Sequence, residues 1–508
     1  MQTLSKQEYR NKVRGCWLGK NIGGTLGAPF EAVRAENDID FYTTKLDKGV
    51  LPNDDLDLQL AWLNAAERFG IAVSAKELAE YWITAITPNW AEYGVGKSNL
   101  RFGLEPPYSG GYNNAFKDSN GAWIRSELWA CLMPGHPDLA VKYAYEDACV
   151  DHADEGVYAE VFTAALESAA FGVSDLDKLV DIGLSYIPQD SEVARAVKLV
   201  IDCHKKGLDW KQARMKLLTE VPDSFGCQRH DNPNKDNLPA GDWGFDAPAN
   251  IGIVVLGWLY GEGDFGRSIC IAAGCGEDGD CTTATLGAIL GIIFGADGIP
   301  QRWIDPVGDE IATCTLNLRS SLIRIPQTVT ELTDRTAKLM PSFMREHFDM
   351  FADGAEIKLA EDAEQYDHAR QTWMFRPYTF KDYYPACHAV FTAENAMMRL
   401  WVSAPDGTEI HEGETVKLEL HAENVSGFVG TQLWLELRWL LPEGWTCDKG
   451  SNTALFLNQY HCGPGNAFCT ANITAGPVTQ ALTTVVLEVS AHDRPGKLYV
   501  PVQFIAKA

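Results

Sequence analysis

The 508-residue chain reads as a mainly α protein: an all-α domain followed by a C-terminal immunoglobulin-like β-sandwich. Three observations carry this reading. Between about residues 8 and 340, apolar residues recur at helical spacing, as in Leu60, Leu63 and Ala66 or Leu286, Ile289 and Ile293. Glycine, proline and polar clusters punctuate those runs. From about residue 391 the spacing changes to strict alternation in seven short runs. The domains are therefore expected at 1–345 (helical), 346–390 (a polar, aromatic connector) and 391–508 (sandwich). The length is compatible with several domains.

In chain order, residues 8–35 read as a helix entering a glycine-rich turn, with Glu31 just past Pro29. Residues 54–90 carry two helices, ending at Thr87-Pro88. The stretch 88–121 is rich in glycine, proline, asparagine and aromatics, and reads as an irregular loop lining a cleft. Its Gly94-Val95-Gly96-Lys97-Ser98 is not a phosphate loop, because the spacing requires glycine where Ala91 stands and no strand precedes it. Asn120-Gly121 closes the loop and a helix starts near Trp123. Residues 138–172 form two helices interrupted at Asp151-His152-Ala153-Asp154-Glu155-Gly156, where Asp151 and Glu155 read as surface or cap residues. Residues 177–221 are helical, punctuated by Ile187-Pro188.

Residues 222–246 form a polar loop. It is not an EF-hand, since Pro233 and Lys235 fall at ligand positions after Asp231. Cys227 and His230 lack the second pair that a zinc site needs. Ala247-Pro248-Ala249-Asn250 then leads into an apolar helix, Ile251–Tyr260, and a further helix reaches the bend at Asp278. Closing helices fall in 300–340. The candidate strands are Met397–Val402, Thr415–Ala422, Gln432–Trp439, Ala454–Gln459, Ala467–Ile473, Thr483–Val489 and Lys497–Ile505.

A net charge of −26 argues against nonspecific binding to nucleic acid or anionic membrane, both of which need a basic surface. No apolar signal core and no membrane-length apolar run is present in the sequence. Thirteen scattered cysteines without a CxxC pair fit reduced thiols and a cytoplasmic location.

Two acidic clusters open apolar helical patterns: Asn53-Asp54-Asp55-Leu56-Asp57, and Glu277-Asp278-Gly279-Asp280-Cys281 within a glycine-rich bend. Each, alone, also reads as an acidic first turn matched to a helix dipole. Carboxylates crowded together repel unless protons, hydrogen bonds or a cation compensate, and hard divalent cations prefer such oxygens. If the two clusters meet, they supply enough oxygens for two metals.

Taken with Arg14-Gly15-Cys16-Trp17-Leu18-Gly19-Lys20-Asn21-Ile22-Gly23-Gly24-Thr25-Leu26-Gly27-Ala28-Pro29-Phe30-Glu31, these motifs resemble the ADP-ribosylglycohydrolase family over roughly residues 8–340. The resemblance implies an all-α fold with a dinuclear site and hydrolysis of a ribosyl bond, most often in ADP-ribosylated protein. It implies metal ligation by Asn53, Asp54, Asp55, Asp278, Asp280 and Cys281, with two divalent ions, Mg²⁺ first and Mn²⁺ as the alternative. Glu31, Asp55 and Asp278 take catalytic roles; Asn120, Gly121 and His152 contact substrate. The chain departs from the family where Asn53 replaces Ser or Thr, Cys281 replaces Thr, and Gly23-Gly24 replaces Gly-Asp. It is similar to a bacterial branch with NDD and DxDC motifs and a C-terminal extension. Leu440-Leu441-Pro442-Glu443-Gly444-Trp445 resembles a phrase common in modules attached to carbohydrate-active enzymes. A non-catalytic ADP-ribose- or sugar-binding protein is the alternative, and the oligomeric state is left open.

Overall fold

The computed structural model describes residues 2–47, 49–221, 236, 238, 244–320, 323–350, 355–360, 389–395, 397–425, 432–449, 453–458, 465–492 and 494–507. The chain divides into two compact units, Met1–Leu100 with Leu104–Phe375, and Arg101–Gly103 with Arg376–Ala508. Most of the polar loop at 222–246, with Cys227, His230 and Asp231, and the connector beyond residue 360 lie outside the described residues.

The first unit is helical. Its described helices are α1 (Lys6–Gly27), α2 (Asp54–Phe69), α3 (Ala75–Thr84), α4 (Ala91–Arg101), α5 (Tyr108–Gly111), α6 (Glu127–Leu132), α7 (Pro137–Ala148), α8 (Asp154–Ala169), α9 (Leu176–Ser185), α10 (Glu192–Lys205), α11 (Trp210–Glu220), α12 (Ala247–Gly261), α13 (Phe265–Gly274), α14 (Gly279–Phe294), α15 (Gln301–Ile304) and α16 (Val329–Met344). Side-chain caps set several starts. Ser5 accepts from Glu8 N–H at α1, Asp209 and Gln212 form a capping box at α11, and Asp264 caps α13.

The glycine-rich segment expected as a turn is the C-terminal half of α1. Its glycines repeat every four residues and therefore share one face. That face lies directly on α14: a Cβ added at Gly15, Gly19, Gly23 or Gly27 would fall 2.1, 1.9, 2.0 or 2.1 Å from a backbone oxygen of Gly291, Gly287, Thr283 or Gly279. Glycine in a helix interior costs about 1 kcal/mol relative to alanine. Here that cost is offset by backbone-to-backbone packing between two long buried helices. Thr283 Oγ1 seals the contact by donating to Gly23 O at 2.6 Å. The antiparallel pair sets the N-terminus of α14 beside the C-terminus of α1, which fixes half of the site described below.

The stretch 88–121 is less irregular than its composition implies, since α4 and α5 lie within it. The rejected phosphate loop sits inside α4, where Lys97 Nζ is spent on Ile86 O at 2.7 Å. Between α15 and α16, the described residues of 305–328 are not helical, so the described part of the closing region holds one long helix rather than several.

Part of the expected connector is structured: β1 (Thr3–Ser5), β2 (Phe348–Asp349) and β3 (Glu356–Lys358) form a small antiparallel sheet in the order β1-β3-β2. It ties both ends of the helical unit together.

The second unit carries ten described strands: β4 (Ala389–Glu394), β5 (Met398–Ala404), β6 (Glu409–Ile410), β7 (Thr415–Asn424), β8 (Leu433–Leu440), β9 (Thr446–Cys447), β10 (Thr453–Leu457), β11 (Asn466–Thr474), β12 (Leu482–Ala491) and β13 (Lys497–Ala506). They make two five-stranded sheets, β10-β8-β12-β13-β6 and β4-β5-β7-β11-β9. One apolar core is shared between them, with Leu400, Val402 and Leu418 from one sheet and Leu435, Leu487 and Val502 from the other. Alternation is the cause: in β8 Leu433, Leu435, Leu437 and Trp439 are buried while the residues between them are exposed. All seven expected strands are present, and β4, β6 and β9 add to them.

Candidate active site

The N-termini of α2 and α14 meet. Asn53 caps α2, its Oδ1 accepting from Asp55 N–H at 2.8 Å, and Asp54 and Asp55 occupy the first turn. Asp278 sits at the cap position of α14, followed by Asp280 and Cys281. The approach to α14 is a sharp bend with Gly276 at φ +71° and Glu277 at φ +64°. Glu277 holds this unusual backbone because Arg34 Nε reaches both its carboxylate oxygens, at 3.1 and 3.0 Å, and its N–H donates to Val33 O. Asn250, in the first turn of α12, accepts from Asp278 N–H at 3.3 Å and donates to Gly244 O and Asp246 O.

Within this arrangement one ligand atom each from Asp54, Asp55 and Asp280 lie within 4.8 Å of one another, as do those from Asp278, Asp280 and Cys281. Asp280 belongs to both groups. Asp55, Asp278 and Asp280 are only 1, 6 and 6 % exposed. Their compensation is incomplete. Tyr93 OH donates to Asp54 Oδ2 at 3.0 Å, Asn120 Nδ2 to Asp278 Oδ2 at 2.8 Å, and Cys281 Sγ to Asp55 Oδ1 at 3.5 Å. Lys20 Nζ stands 3.7 Å from Asp55 Oδ2 but lies closer, at 2.7 Å, to Glu127. Asp55 Oδ2 and Asp280 Oδ1 are buried without a hydrogen-bond partner.

Burial pushes the acids up. Asp278 rises to about 7, aided by the charge of Glu31; Asp55 and Asp280 rise well above the carboxylate range, and Asp54 rises less. Burial and the surrounding acids also raise the Cys281 thiol. Buried acids in this condition need a proton or a cation. Unpartnered oxygens in a set of four carboxylates fit a divalent cation of the hard class.

The acids floor a cleft of about 520 Å³, walled by Trp90, Tyr93, Phe116, Ile124 and Phe245. Glu31 is exposed and lines it, one residue beyond a 3₁₀ turn at Ala28–Phe30. Asn120 and Gly121 line it as well. Asn120 is braced by Trp123 Nε1 at 3.0 Å. A Cβ at Gly121 would come within 2.2 Å of Glu92 Oε1 and 2.8 Å of Tyr93 Cε1, so both side chains would have to shift.

His152 is fully buried behind the wall rather than among the lining residues. Its Nε2 meets Ser119 Oγ at 3.1 Å and its Nδ1 lies 3.0 Å from Asp151 Oδ1. It therefore positions the Ser119-Asn120-Gly121 strip. Asp151 is not a surface residue: it is 1 % exposed and bonds Arg125 Nη2 at 2.6 Å. Glu155 does act as a cap, accepting from Glu192 and Val193 N–H, both at 2.9 Å, at the start of α10.

Several lining residues escape sequence reasoning. Glu92 and Tyr93 fall in a segment that looked irregular, and Phe245 stands alone in a polar stretch. Arg125 joins the strip to the core by donating to Gly121 O, Asp147 and Asp151. The expectation that 88–121 lines a cleft covers Glu92 and Tyr93 as part of a long loop but singles out neither.

A model of the ADP-ribosylglycohydrolase family matches residues 5–346. The chain belongs to the ADP-ribosylglycohydrolase family. The match spans α1 through α16 and thus both acidic helix starts. A solved structure titled "ADP-ribosylglycohydrolase-related protein complex" is 18 % identical, covers 67 % of this chain and 99 % of its own, and has a TM-score of 0.43. No curated protein matches the chain. Family membership supports a glycohydrolase-like activity and acid clusters able to hold metal ions. No helix among the described residues is long and apolar enough to cross a membrane. The ten described cysteines are free thiols.

Proposed function

We propose that the chain is a metal-dependent glycohydrolase that cleaves the glycosidic bond at C1 of an ADP-ribosyl or related furanosyl substrate. One observation carries the reading: Asp54, Asp55, Asp278 and Asp280, far apart in sequence, line or underlie one cleft and form two groups joined at Asp280. Asp54, Asp55 and Asp280 would hold one divalent cation and Asp278, Asp280 and Cys281 a second; Asn53 stays the cap of α2. Cations held there supply Lewis acidity, which means affinity for vicinal sugar hydroxyls and an acidified water.

The chain's own residues do the rest. Asn120 and Gly121 present an amide and backbone groups to the sugar side of the cleft, on a strip fixed by His152 and Arg125. Trp90 and Tyr93, stacked with ring centres 6.2 Å apart, offer an aromatic wall to a flat part of the substrate. Cleavage develops oxocarbenium character at C1, and the surrounding carboxylates favour that positive charge. Glu31, exposed to the cleft beside Asp278, accepts the proton of the attacking water.

Purified protein with Mg²⁺ or Mn²⁺, offered ADP-ribosyl, nucleoside and furanoside substrates, should release free sugar from at least one. Ligand binding with no release from any of them would instead support the non-catalytic reading.

A further inference from the structure

We infer that the two cation positions differ in chemical class. Asp54, Asp55 and Asp280 form an all-oxygen position for a hard cation, and Asp278, Asp280 and Cys281 form a mixed oxygen–sulfur position for a thiophilic one of the Zn²⁺ type. The inference rests on the two-cation reading above.

A carboxylate set suits Mg²⁺ or Mn²⁺, whereas a thiolate favours zinc and softer ions. A buried cysteine that merely fills space behaves as a small hydrophobe among apolar neighbours. Cys281 does not. It is 7 % exposed and lies in the first turn of α14. Its sulfur is within 4.8 Å of carboxylate oxygens of Asp278 and Asp280. Its S–H is directed at Asp55 Oδ1, 3.5 Å away. An independent feature points to a missing ligand: Asp280 Oδ1, on a side chain more than nine-tenths buried, has no hydrogen-bond partner.

The proton balance is simple. A sulfur–metal bond forms as the S–H bond breaks, and the proton leaves to solvent water, as when any thiol becomes a metal ligand. Loading the thiophilic ion at this position therefore releases one proton from Cys281. No electron transfer is involved.

The test uses the full chain, stripped with chelator, and Cd²⁺ as the probe. Wild type should show a sulfur-to-cadmium charge-transfer absorption that is missing from Cys281→Ser. Cd²⁺ affinity should fall at least about tenfold in that variant, the scale on which metal sites respond to ligand-shell changes. Mn²⁺ followed by electron paramagnetic resonance should still bind the all-oxygen position of Cys281→Ser. Cys281→Ala, checked by circular dichroism, replaces the serine variant if that one does not fold. If Cd²⁺ binds equally with an unchanged band, Cys281 is not a ligand and this inference fails, while the two-cation reading survives. If wild type binds neither Cd²⁺ nor Mn²⁺, the underlying reading fails as well.

Discussion

Two of the buried acidic clusters among the described residues of the helical unit are handled differently. Around Arg125, Asp147 and Asp151 are paired at 2.7 and 2.6 Å, and Trp82 stacks on the guanidinium at 5.2 Å. Burial alone would raise Asp151, but Arg125 and His152 bring it below its usual value. Asp147 still rises to about 6, and Glu160, 4.0 Å from Arg125, stays raised with both oxygens lacking a hydrogen-bond partner. At the starts of α2 and α14, the acids have a tyrosine, an asparagine, a thiol and a lysine shared with Glu127, and burial keeps all four aspartates raised. The first cluster carries its cation in the chain and is architecture. The second leaves its compensation to something that comes from solution. A cation of the chain at the centre of the first cluster, and access to the cleft for the second, separate a structural cluster from a candidate active site better than acidity or unpaired oxygens do.

Removing the shared acid should break the comparison most visibly. Asp280→Asn should lose several kcal/mol of transition-state stabilisation, about 10³-fold in kcat/KM or more, in a steady-state assay on whichever substrate turns over. The same change should leave the metal-free fold at least as stable, because it removes repulsion. Arg125→Met is the opposite case. It leaves Asp147 and Asp151 buried without their partner and should cost about 3–5 kcal/mol in urea unfolding. An Arg125 variant as stable as wild type would remove the distinction drawn here.

Much of the candidate site was legible in sequence, and for a physical reason. Acids at helix starts, followed by apolar runs, mark Asp54, Asp55, Asp278 and Asp280 without reference to tertiary structure. The alternation in residues such as Leu433, Leu435 and Leu437 made the strands equally plain. What stayed hidden depends on which surfaces meet. Gly15, Gly19, Gly23 and Gly27 looked like a turn because their use, contact with the α14 backbone, lies more than 250 residues away in the chain. Asp151 looked exposed because its partner, Arg125, is placed by a different helix start. Glu92 lines the cleft against Gly121, a contact between residues 29 apart in the chain that the sequence does not announce.

The glycine seam sharpens the same contrast from the side of geometry. Gly19→Ala places a methyl within 1.9 Å of Gly287 O, so α1 and α14 must separate. The expected cost is about 1–3 kcal/mol in denaturant midpoint, with weaker cation binding because the start of α14 moves. A further effect is in pH. Asp278, held near 7 by burial and Glu31 against an ordinary 3.8, keeps its proton in the folded state where the unfolded chain has lost it. Metal-free stability should therefore fall as pH rises from about 4 to about 7, and saturating Mn²⁺ should flatten that slope. The readout is thermal unfolding across that range with and without the ion.

The most direct measurement is the cation stoichiometry of the purified chain and of Asp280→Asn, by calorimetric titration with Mn²⁺ and then Zn²⁺, and by elemental analysis. The account predicts two divalent ions per wild-type chain and loss or severe weakening of both in the variant, since Asp280 is common to the two groups. A wild-type chain that binds none, or a variant that binds as wild type does, would contradict it.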